Sequence, residues 1–421
     1  MEKDDKKRAL QLLIKKETDL SITYAMITRL TGYSKRQLIR MSKDIKEKDM
    51  DSMLIHGNTG KKPVTTASDQ EVRYLCEFKK PYPVITIAQF RDIFLEDVIQ
   101  NNLKQDDVVQ YGLKPRSLSW FRQLFIKQGW KSPAQKPIRR SGDHKTHPIR
   151  TPLPRRGMMV QIDGTEYDWF QNGTRYTLHL CVDDATTEVL AGWFMPTECV
   201  RGYSHMMLLV LQEYGVPERV YSDKHSIFRS VKSGELSQFG LMLDKLHIKM
   251  IFANSPEAKG RVERYNQTEQ MRLVNDITRF KIHNVDQLNE WFNRFYRKYL
   301  NKKFAFLPRD PNDAFVRLQA DYDLSMVFRI HQTRVMKRGA FKFETVYYSP
   351  YDDQGNMVDI LDGTTVNFYI DTITEAKYIE YYGNRYIVKP ISDRYGSRKI
   401  DEIHNQKELQ QLLNEHRNNN L

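Results

Sequence analysis

The chain has 421 residues, of which 40% are hydrophobic and 28% charged, and its formal net charge is +13. This length allows several domains with their own cores, and the excess of Lys and Arg favours a polyanionic partner, nucleic acid first. The three cysteines are odd in number and have no CxxC spacing, so neither a disulfide scaffold nor a structural zinc site is expected. The sequence has no apolar run long enough to span a membrane, and its opening MEKDDKKRAL is not a signal peptide. We therefore expect a soluble intracellular protein with no membrane partner.

Residues 1–55 have the pattern of a helix-turn-helix unit. Apolar residues at helical spacing lead to a break at Gly32, after which a new helix begins. That second helix carries Lys35, Arg36 and Arg40, which makes it the candidate recognition helix for DNA. An ordinary helical hairpin is the alternative.

Residues 56–130 repeat this plan. After a stretch that contains glycine and lysine, the segments TIAQFRDIFLED and SLSWFRQLFIKQGW have helical periodicity, and the second is aromatic and basic. They predict a second helix-turn-helix unit. Two such units in tandem would grip a longer DNA site than one could.

Residues 131–156 break the periodicity and combine many Lys and Arg residues with prolines. Such a composition cannot build a core and predicts an extended basic linker. Arg139 and Arg140 are its candidate phosphate contacts. A tether that is merely solvated is the alternative.

From residue 157 the pattern changes to strands. The short apolar runs MMVQID, YTLHLCVDD and EVLAGWF are followed by alternating helices and strands, so residues 157–302 are predicted to form an α/β core with a mixed five-stranded sheet. Residues 325–391 hold short β-rich runs with glycine turns and predict a small β-barrel. Residues 402–421 form a polar tail. The predicted fold class is therefore multidomain, with all-α N-terminal units, an α/β core and a C-terminal barrel.

Three acidic residues lie at or just after strand ends in the predicted core. Asp163 ends the first strand, Asp223 ends the fourth, and Glu263 lies on the helix after the fifth. Such positions meet at the carboxyl edge of an α/β sheet. Carboxylates ligate hard cations such as Mg²⁺ or Mn²⁺, and two ions roughly 3.5–4 Å apart can activate a nucleophile and stabilise the leaving oxygen at phosphorus. Without metal, the three acids would raise one another's pKa values, which counts against a purely structural role.

Other acids in the core have simpler interpretations. Glu257 follows Pro256 at a helix start, where a carboxylate interacts well with the helix dipole. Asp183 and Asp184 belong to the turn between the second and third strands. Asp244 lies on a predicted helix and is most simply a surface acid. The three acids at the sheet edge are therefore the better candidates.

The segments VQIDGT, VYSDKHSIF and NSPEAKGRVERYNQ resemble the three signature blocks of DDE recombinases of the retroviral-integrase (rve) type, which share a ribonuclease-H-like fold. Pro256, Gly260 and Glu263 stand where that family has its proline, glycine and catalytic glutamate. The tandem N-terminal units, the arginine-rich run before QIDGT, DWF at 168–170, VDDAT at 183–187 and the β-rich tail are similar to the ISNCY group of insertion-sequence transposases. The likeness covers nearly the whole chain.

Two features depart from the integrase pattern. The separation between Asp223 and Glu263 is slightly longer than is usual there, and Lys224 and His225 replace a small, neutral turn. In addition, no His/His/Cys/Cys zinc module precedes the core. Recognition of DNA ends would therefore fall to the helix-turn-helix units.

The resemblance implies a transposase that binds the terminal inverted repeats of its element, cleaves the 3′ ends and joins them to target DNA. Asp163, Asp223 and Glu263 would be catalytic and would hold two Mg²⁺ or Mn²⁺ ions per active site. The partners would be double-stranded DNA and at least one further copy of the chain, because two DNA ends need two active sites. The location would be the bacterial cytoplasm, in association with the nucleoid.

Four residues around the third acid are further candidate DNA contacts, namely Lys259, Arg261, Arg264 and Gln267. Two other functions stay open. One is a non-catalytic DNA-binding regulator derived from a transposase, and the other is a nuclease of the ribonuclease H type.

Overall fold

The computed structural model of the protein describes residues 3–47, 50–54, 66–133, 151–223, 227–228, 235–252 and 260–391. For residues 3, 50, 51, 260–265 and 267 it describes the backbone alone. The chain divides into two compact units, Met1–Glu77 with Val109–Leu113 and Phe78–Val108 with Lys114–Leu421.

The N-terminal unit opens with four helices, α1 (Lys3–Thr18), α2 (Tyr24–Thr31), α3 (Lys35–Asp44) and α4 (Met50–Leu54). Gly32 ends α2 with a φ of 72°, a left-handed conformation that favours glycine. Ser34 and Gln37 then form a capping box at the start of α3. A small apolar core holds α1, α2 and α3 together, and it consists of Ala9, Leu13, Ile27 and Leu38. The two helices and the glycine turn therefore lie where the sequence places them.

Further helices follow, namely α5 (Asp69–Lys79), α6 (Ile87–Phe94), a π-helical turn (Leu95–Ile99), a 3₁₀ turn (Asn102–Lys104), α7 (Gln105–Gln110) and α8 (Leu118–Lys127). Helix α6 packs against α8 through an aromatic cluster. Phe90 makes edge-to-face contacts with Phe121, Phe125 and Trp130, with ring centroids 5.6–6.0 Å apart. Its ring and those of Phe121 and Phe125 are buried.

The central sheet contains β1 (Val160–Tyr167), β2 (Tyr176–Asp183), β3 (Val189–Met195), β4 (Arg219–Ser222) and β5 (Lys249–Phe252). Its strand order is β3-β2-β1-β4-β5. The first three strands pair antiparallel, whereas β1, β4 and β5 pair parallel. The prediction of a mixed five-stranded sheet is confirmed.

Helices cover both faces of this sheet. One face packs on α9 (Val200–Glu213) and α10 (Gln238–Lys245), and the other packs on α11 (Gly260–Arg279), α12 (Val285–Trp291), a π-helical segment (Phe292–Tyr296) and α13 (Arg297–Phe304). Because strand residues alternate between faces, Val160 and Ile162 of β1 enter the core under α9. Asp163 and Thr165 lie on the α11 face, where both contact that helix.

The C-terminal sheet contains β6 (Arg329–Val335), β7 (Phe341–Phe343), β8 (Val346–Tyr351), β9 (Thr365–Asp371), β10 (Lys377–Tyr381) and β11 (Asn384–Ile391). All its pairs are antiparallel, in the order β6-β9-β10-β11-β8-β7. The two outer strands of this order also contact each other, so the sheet is nearly closed. This arrangement agrees with the predicted barrel in outline, while the domain boundaries expected from sequence stay predictions. Among the described residues, no helix is both long and apolar enough to cross a membrane.

Candidate active site

The parallel pairing of β1 with β4 brings two of the predicted acids together. Val160 is opposite Val220 and Gln161 is opposite Tyr221. Two residues further along each chain, this register leads to Asp163 and Asp223. Neighbouring strands are about 4.8 Å apart, and residues in register point to the same face. The charges of both aspartates also raise the pKa of the same buried phenol, that of Tyr203, after the larger effects of burial and of Glu198.

Helix α11 lies against β1, the first strand of this pair. Asn266 donates a hydrogen bond from Nδ2 to Oδ2 of Asp163 over 2.8 Å. Glu263 belongs to the same helix three residues earlier, and positions three apart share one helix face. The side chain of Glu263 is outside the described part of the structure. Within that part, no three His, Cys, Asp or Glu side chains are grouped closely enough to hold a metal ion.

The side-chain oxygen of Asn266 is relevant to metal binding. Its side chain is only 6% exposed, and its Oδ1 atom has no hydrogen-bond partner among the described residues. A buried acceptor without a partner costs free energy, so a ligand or metal-bound water at this position would satisfy it. Two carboxylates with an amide oxygen form the all-oxygen donor set that Mg²⁺ and Mn²⁺ prefer. The side chains present therefore fit a hard divalent cation.

A second contact continues the alignment of α11 with β1. Gln270 donates from Nε2 to Oγ1 of Thr165 over 2.9 Å. Gln270 is one helical turn after Asn266, and Thr165 is two residues after Asp163. Sequence reasoning missed both amides. The signal was available in their spacing, three and seven residues after Glu263, which places them on its helix face.

The opposite face of β1 is also fixed beside Asp163. A Cβ atom added at Gly164 would lie 2.7 Å from the carboxyl group of Glu198, so a larger residue here would displace that carboxyl group. Glu198 accepts a 2.7 Å hydrogen bond from the hydroxyl of Tyr203. Next to it, the backbone N–H of Cys199 donates to Nε2 of His179 over 3.1 Å. Burial lowers the pKa of His179 to about 4, so the ring stays a neutral acceptor.

The other end of α11 is held by polar groups of α6. Gln89 is fully buried, and its Nε2 donates to the backbone oxygen of Arg272 over 2.7 Å. Its Oε1 accepts from Nδ2 of Asn275 over 3.0 Å, and Nε2 also lies 3.3 Å from Oδ2 of Asp276. We call these four residues the α6–α11 clamp. It fixes the helix that carries Glu263 against the helical region of residues 86–130.

Ion pairs extend the clamp towards the C-terminus of α11. Arg279 donates from Nε to Asp97 over 2.8 Å and from Nη1 to Glu96 over 3.0 Å. Glu96 also accepts from the hydroxyl of Tyr299 over 2.7 Å and pairs with Lys303 of α13. The sequence pattern of residues 56–130 predicts a second DNA-binding unit. In the structure, acidic side chains of this region contact helices α11 and α13 of the α/β core.

The competing acids have structural contacts. Asp183 accepts from the backbone of Gly157 and from both donors of Thr186. Asp184 accepts from the backbone of Leu153 and from Gln161. These contacts fix the turn after β2, as the sequence interpretation expects. Asp244 is exposed on α10, and Glu257 lies outside the described residues.

The candidate DNA contacts are described only in part. Lys35, Arg36 and Arg40 are all exposed on α3, while Leu38 between them faces the core. The side chains of the other six candidates are not described by the structure. Arg139, Arg140 and Lys259 are outside the described residues entirely, and Arg261, Arg264 and Gln267 belong to α11 without described side chains.

Comparisons with known proteins agree with the sequence resemblance. The chain is 37% identical over 196 residues to a protein of Sinorhizobium fredii named as a transposase, y4bF, and 32% identical over 180 residues to the transposase for insertion sequence IS1202 of Streptococcus pneumoniae. These matches cover 45% and 40% of this chain and 43% and 38% of the relatives, so the chain spans less than half the length of each. No family model matches the sequence. The chain is similar to transposases.

Solved structures with a similar chain include retroviral integrases. One is the catalytic core domain of the HTLV-2 integrase in complex with magnesium, with 20% identity, a TM-score of 0.27 and coverage of 33% of this chain and 85% of that one. Another is the simian T-cell lymphotropic virus intasome in complex with the PP2A regulatory subunit B56 gamma, with 14% identity, a TM-score of 0.30 and coverage of 68% and 95%.

Proposed function

We propose that this chain is a DDE transposase that binds the terminal inverted repeats of its element, cleaves the 3′ ends and joins them to target DNA. The observation that carries the proposal is the pairing of the parallel strands that lead to Asp163 and Asp223, with the helix that contains Glu263 packed against the first of them. The contact of Asn266 with Asp163 supports it, because that contact ties the helix to the strand at this point.

The chemistry follows from the donor set. Asp163, Asp223 and Glu263 would hold Mg²⁺ or Mn²⁺, and the bound ions would supply Lewis-acid activation of the attacking oxygen and of the leaving oxygen. Asn266 orients Asp163 through its Nδ2–H, and its buried Oδ1 would accept a hydrogen bond from a water molecule in the site. Water is the nucleophile for end cleavage, and the 3′-hydroxyl of the cleaved end is the nucleophile for joining.

DNA binding belongs to the N-terminal helices in this proposal. The exposed Lys35, Arg36 and Arg40 give α3 a basic face of the kind that enters a major groove. Because joining both ends of an element to one target needs two active sites, the working form on DNA is at least a dimer.

The test is metal-dependent nicking and strand transfer on a duplex that carries the end of the element around this reading frame. The proposal predicts cleavage at the 3′ end with Mg²⁺ or Mn²⁺ and none in EDTA. Specific binding without cleavage under any metal condition would instead support a regulator derived from a transposase. Cleavage without preference for the element's end would support a ribonuclease-H-type nuclease.

A further inference from the structure

A groove with a volume of about 420 Å³ lies beside the candidate active site. This volume is within the range of small-ligand pockets, about 300–1,000 Å³. Tyr167 of β1 and Met271 and Val274 of α11 form one wall, and Val84 and Pro133 line the groove from the helical region that the α6–α11 clamp holds in place. The groove therefore joins two parts of the chain that sequence analysis assigns to separate domains.

The groove begins close to the carboxylates. Gln270 lines it and is bonded to Thr165, while Asn266, one turn earlier, is bonded to Asp163. One turn of α-helix rises about 5.4 Å, and two strand residues rise about 6.6 Å. This offset is comparable to the spacing of neighbouring nucleotides in an extended strand. A nucleotide adjacent to a phosphate at Asp163 would thus reach the groove.

The chemistry of the lining favours an uncharged ring over a phosphate. The polar groups are the amides of Gln171 and Gln270 together with the carboxylate of Asp168. Asp168 already accepts from the backbone N–H groups of Asn172 and Gly173, over 3.1 and 2.9 Å. Its negative charge would repel a phosphate. An aromatic and aliphatic wall facing glutamine amides is the combination that stacks on a base and bonds to its edge.

We propose that this groove binds one unstacked base of the DNA end, within about two nucleotides of the bond that is cleaved. This inference rests on the proposed transposase function and deepens it. Because Nε2 of Gln270 is used by Thr165, its Oε1 is the atom offered to the base. It would accept from an exocyclic amine.

The experiment uses the intact chain and an element-end duplex with 2-aminopurine at each position around the cleaved bond, one position per duplex. Fluorescence is read on binding in Ca²⁺, and strand transfer of the same duplex is read in Mg²⁺. We expect a several-fold rise at one position near the bond. Gln270→Ala, which removes the acceptor, should abolish most of the rise.

A second variant fills the groove without disturbing the core. Val84 is 58% exposed, so Val84→Trp adds a ring from the solvent side and should displace the base. Gln319→Ala, an exposed glutamine away from the groove, is the matched control and should keep the full rise.

Strand transfer with no fluorescence rise at any position would overturn this inference alone. A rise that persists in both Gln270→Ala and Val84→Trp would overturn it as well, because the base would then be held elsewhere. Absence of both joining and a fluorescence change would overturn the proposed function and this inference with it.

Discussion

The two N-terminal helical regions have the same plan in sequence and different environments in the fold. Helices α2 and α3 share an apolar core, the buried hydroxyl of Thr31 donates to its own helix, and the basic residues of α3 stay exposed. Helix α6 instead buries a glutamine and directs Asp92 at Arg272 of α11, while the following π turn directs Glu96 and Asp97 at Arg279. One region exposes its polar face to solvent, and the other uses polar side chains to contact α11 of the α/β core.

This difference indicates a division of work. A buried amide with both of its polar atoms bonded fixes one arrangement of two helices, because any shift leaves a buried donor or acceptor unpaired. Under the proposed function, the α6–α11 clamp helps to position the helix that carries Glu263. Under the same proposal, the exposed cations of α3 contact DNA. The role of the clamp and the role of the α3 cations can be tested by separate substitutions.

The largest loss of activity is expected from substitutions of the three candidate catalytic carboxylates. Asp163→Asn, Asp223→Asn and Glu263→Gln should each reduce cleavage and joining on the order of a thousandfold or more, because each removes charge that holds the metal. Binding to the element's end, measured by gel shift, should stay near wild type. Glu257→Gln is the matched control and should keep substantial activity. An inactive Glu257→Gln beside an active Glu263→Gln would contradict the choice of glutamate.

The next effect concerns α3. Replacing Lys35, Arg36 and Arg40 together by Ala should weaken end binding about 10- to 100-fold and reduce the salt dependence of log Kd by about 2–3, since each phosphate contact contributes nearly one unit. The measurement is a gel shift or anisotropy titration at several salt concentrations. An unchanged salt slope would show that α3 does not lie on the DNA, and the first region would then be an ordinary hairpin.

Most of the core was predictable from sequence, and the clamp was not. Strand runs and helix caps are local signals, so the five strands and the α2–α3 turn lie close to where their residues indicate. The prediction that Asp163 ends the first strand is wrong, because β1 continues to Tyr167 through its pairing with β2. Gln89 gave no such signal. Its sequence neighbours are apolar residues at helical spacing, and its partners Arg272 and Asn275 are more than 180 residues away. Only the folded chain can distinguish an amide that faces a partner helix from one that faces water.

Disrupting the clamp should produce an intermediate effect of a different kind. Gln89→Leu keeps the volume of the side chain but removes the buried hydrogen bonds to Arg272, Asn275 and Asp276, each with a net value of about 0.5–1.5 kcal/mol. We expect joining to fall about 10-fold through displacement of α11, with end binding unchanged. Single-turnover rates and gel shifts measure the two separately.

The control for this prediction is Gln123→Leu, an exposed glutamine on α8 of the same helical region. Gln123→Leu should have no effect on joining. If Gln89→Leu weakened DNA binding and left the single-turnover rate of bound complexes intact, the second region would serve DNA recognition after all, and the contrast between the two regions would fail.

The smallest effect is a pH dependence of stability at Asp276. Burial raises the pKa of this carboxyl to about 6, against the opposing charges of Arg272 and Arg279. The folded chain therefore holds the proton over a range in which the unfolded chain has lost it. The stability that this proton contributes is complete below about pH 4 and is lost as the pH rises to about 6.

Asp276→Asn cannot titrate and keeps an oxygen that can accept from Gln89 and Tyr296. Relative to wild type, the variant should therefore gain on the order of 3 kcal/mol in unfolding free energy between pH 4 and pH 7. Denaturant titrations of the intact chain at both pH values measure this, with the exposed Asp286→Asn as the control for the substitution itself. A difference that does not change with pH would mean that Arg272 and Arg279 keep Asp276 ionised in the fold. The clamp would then be held by charge pairs throughout the working range, and the Gln89 amide would be a minor part of it.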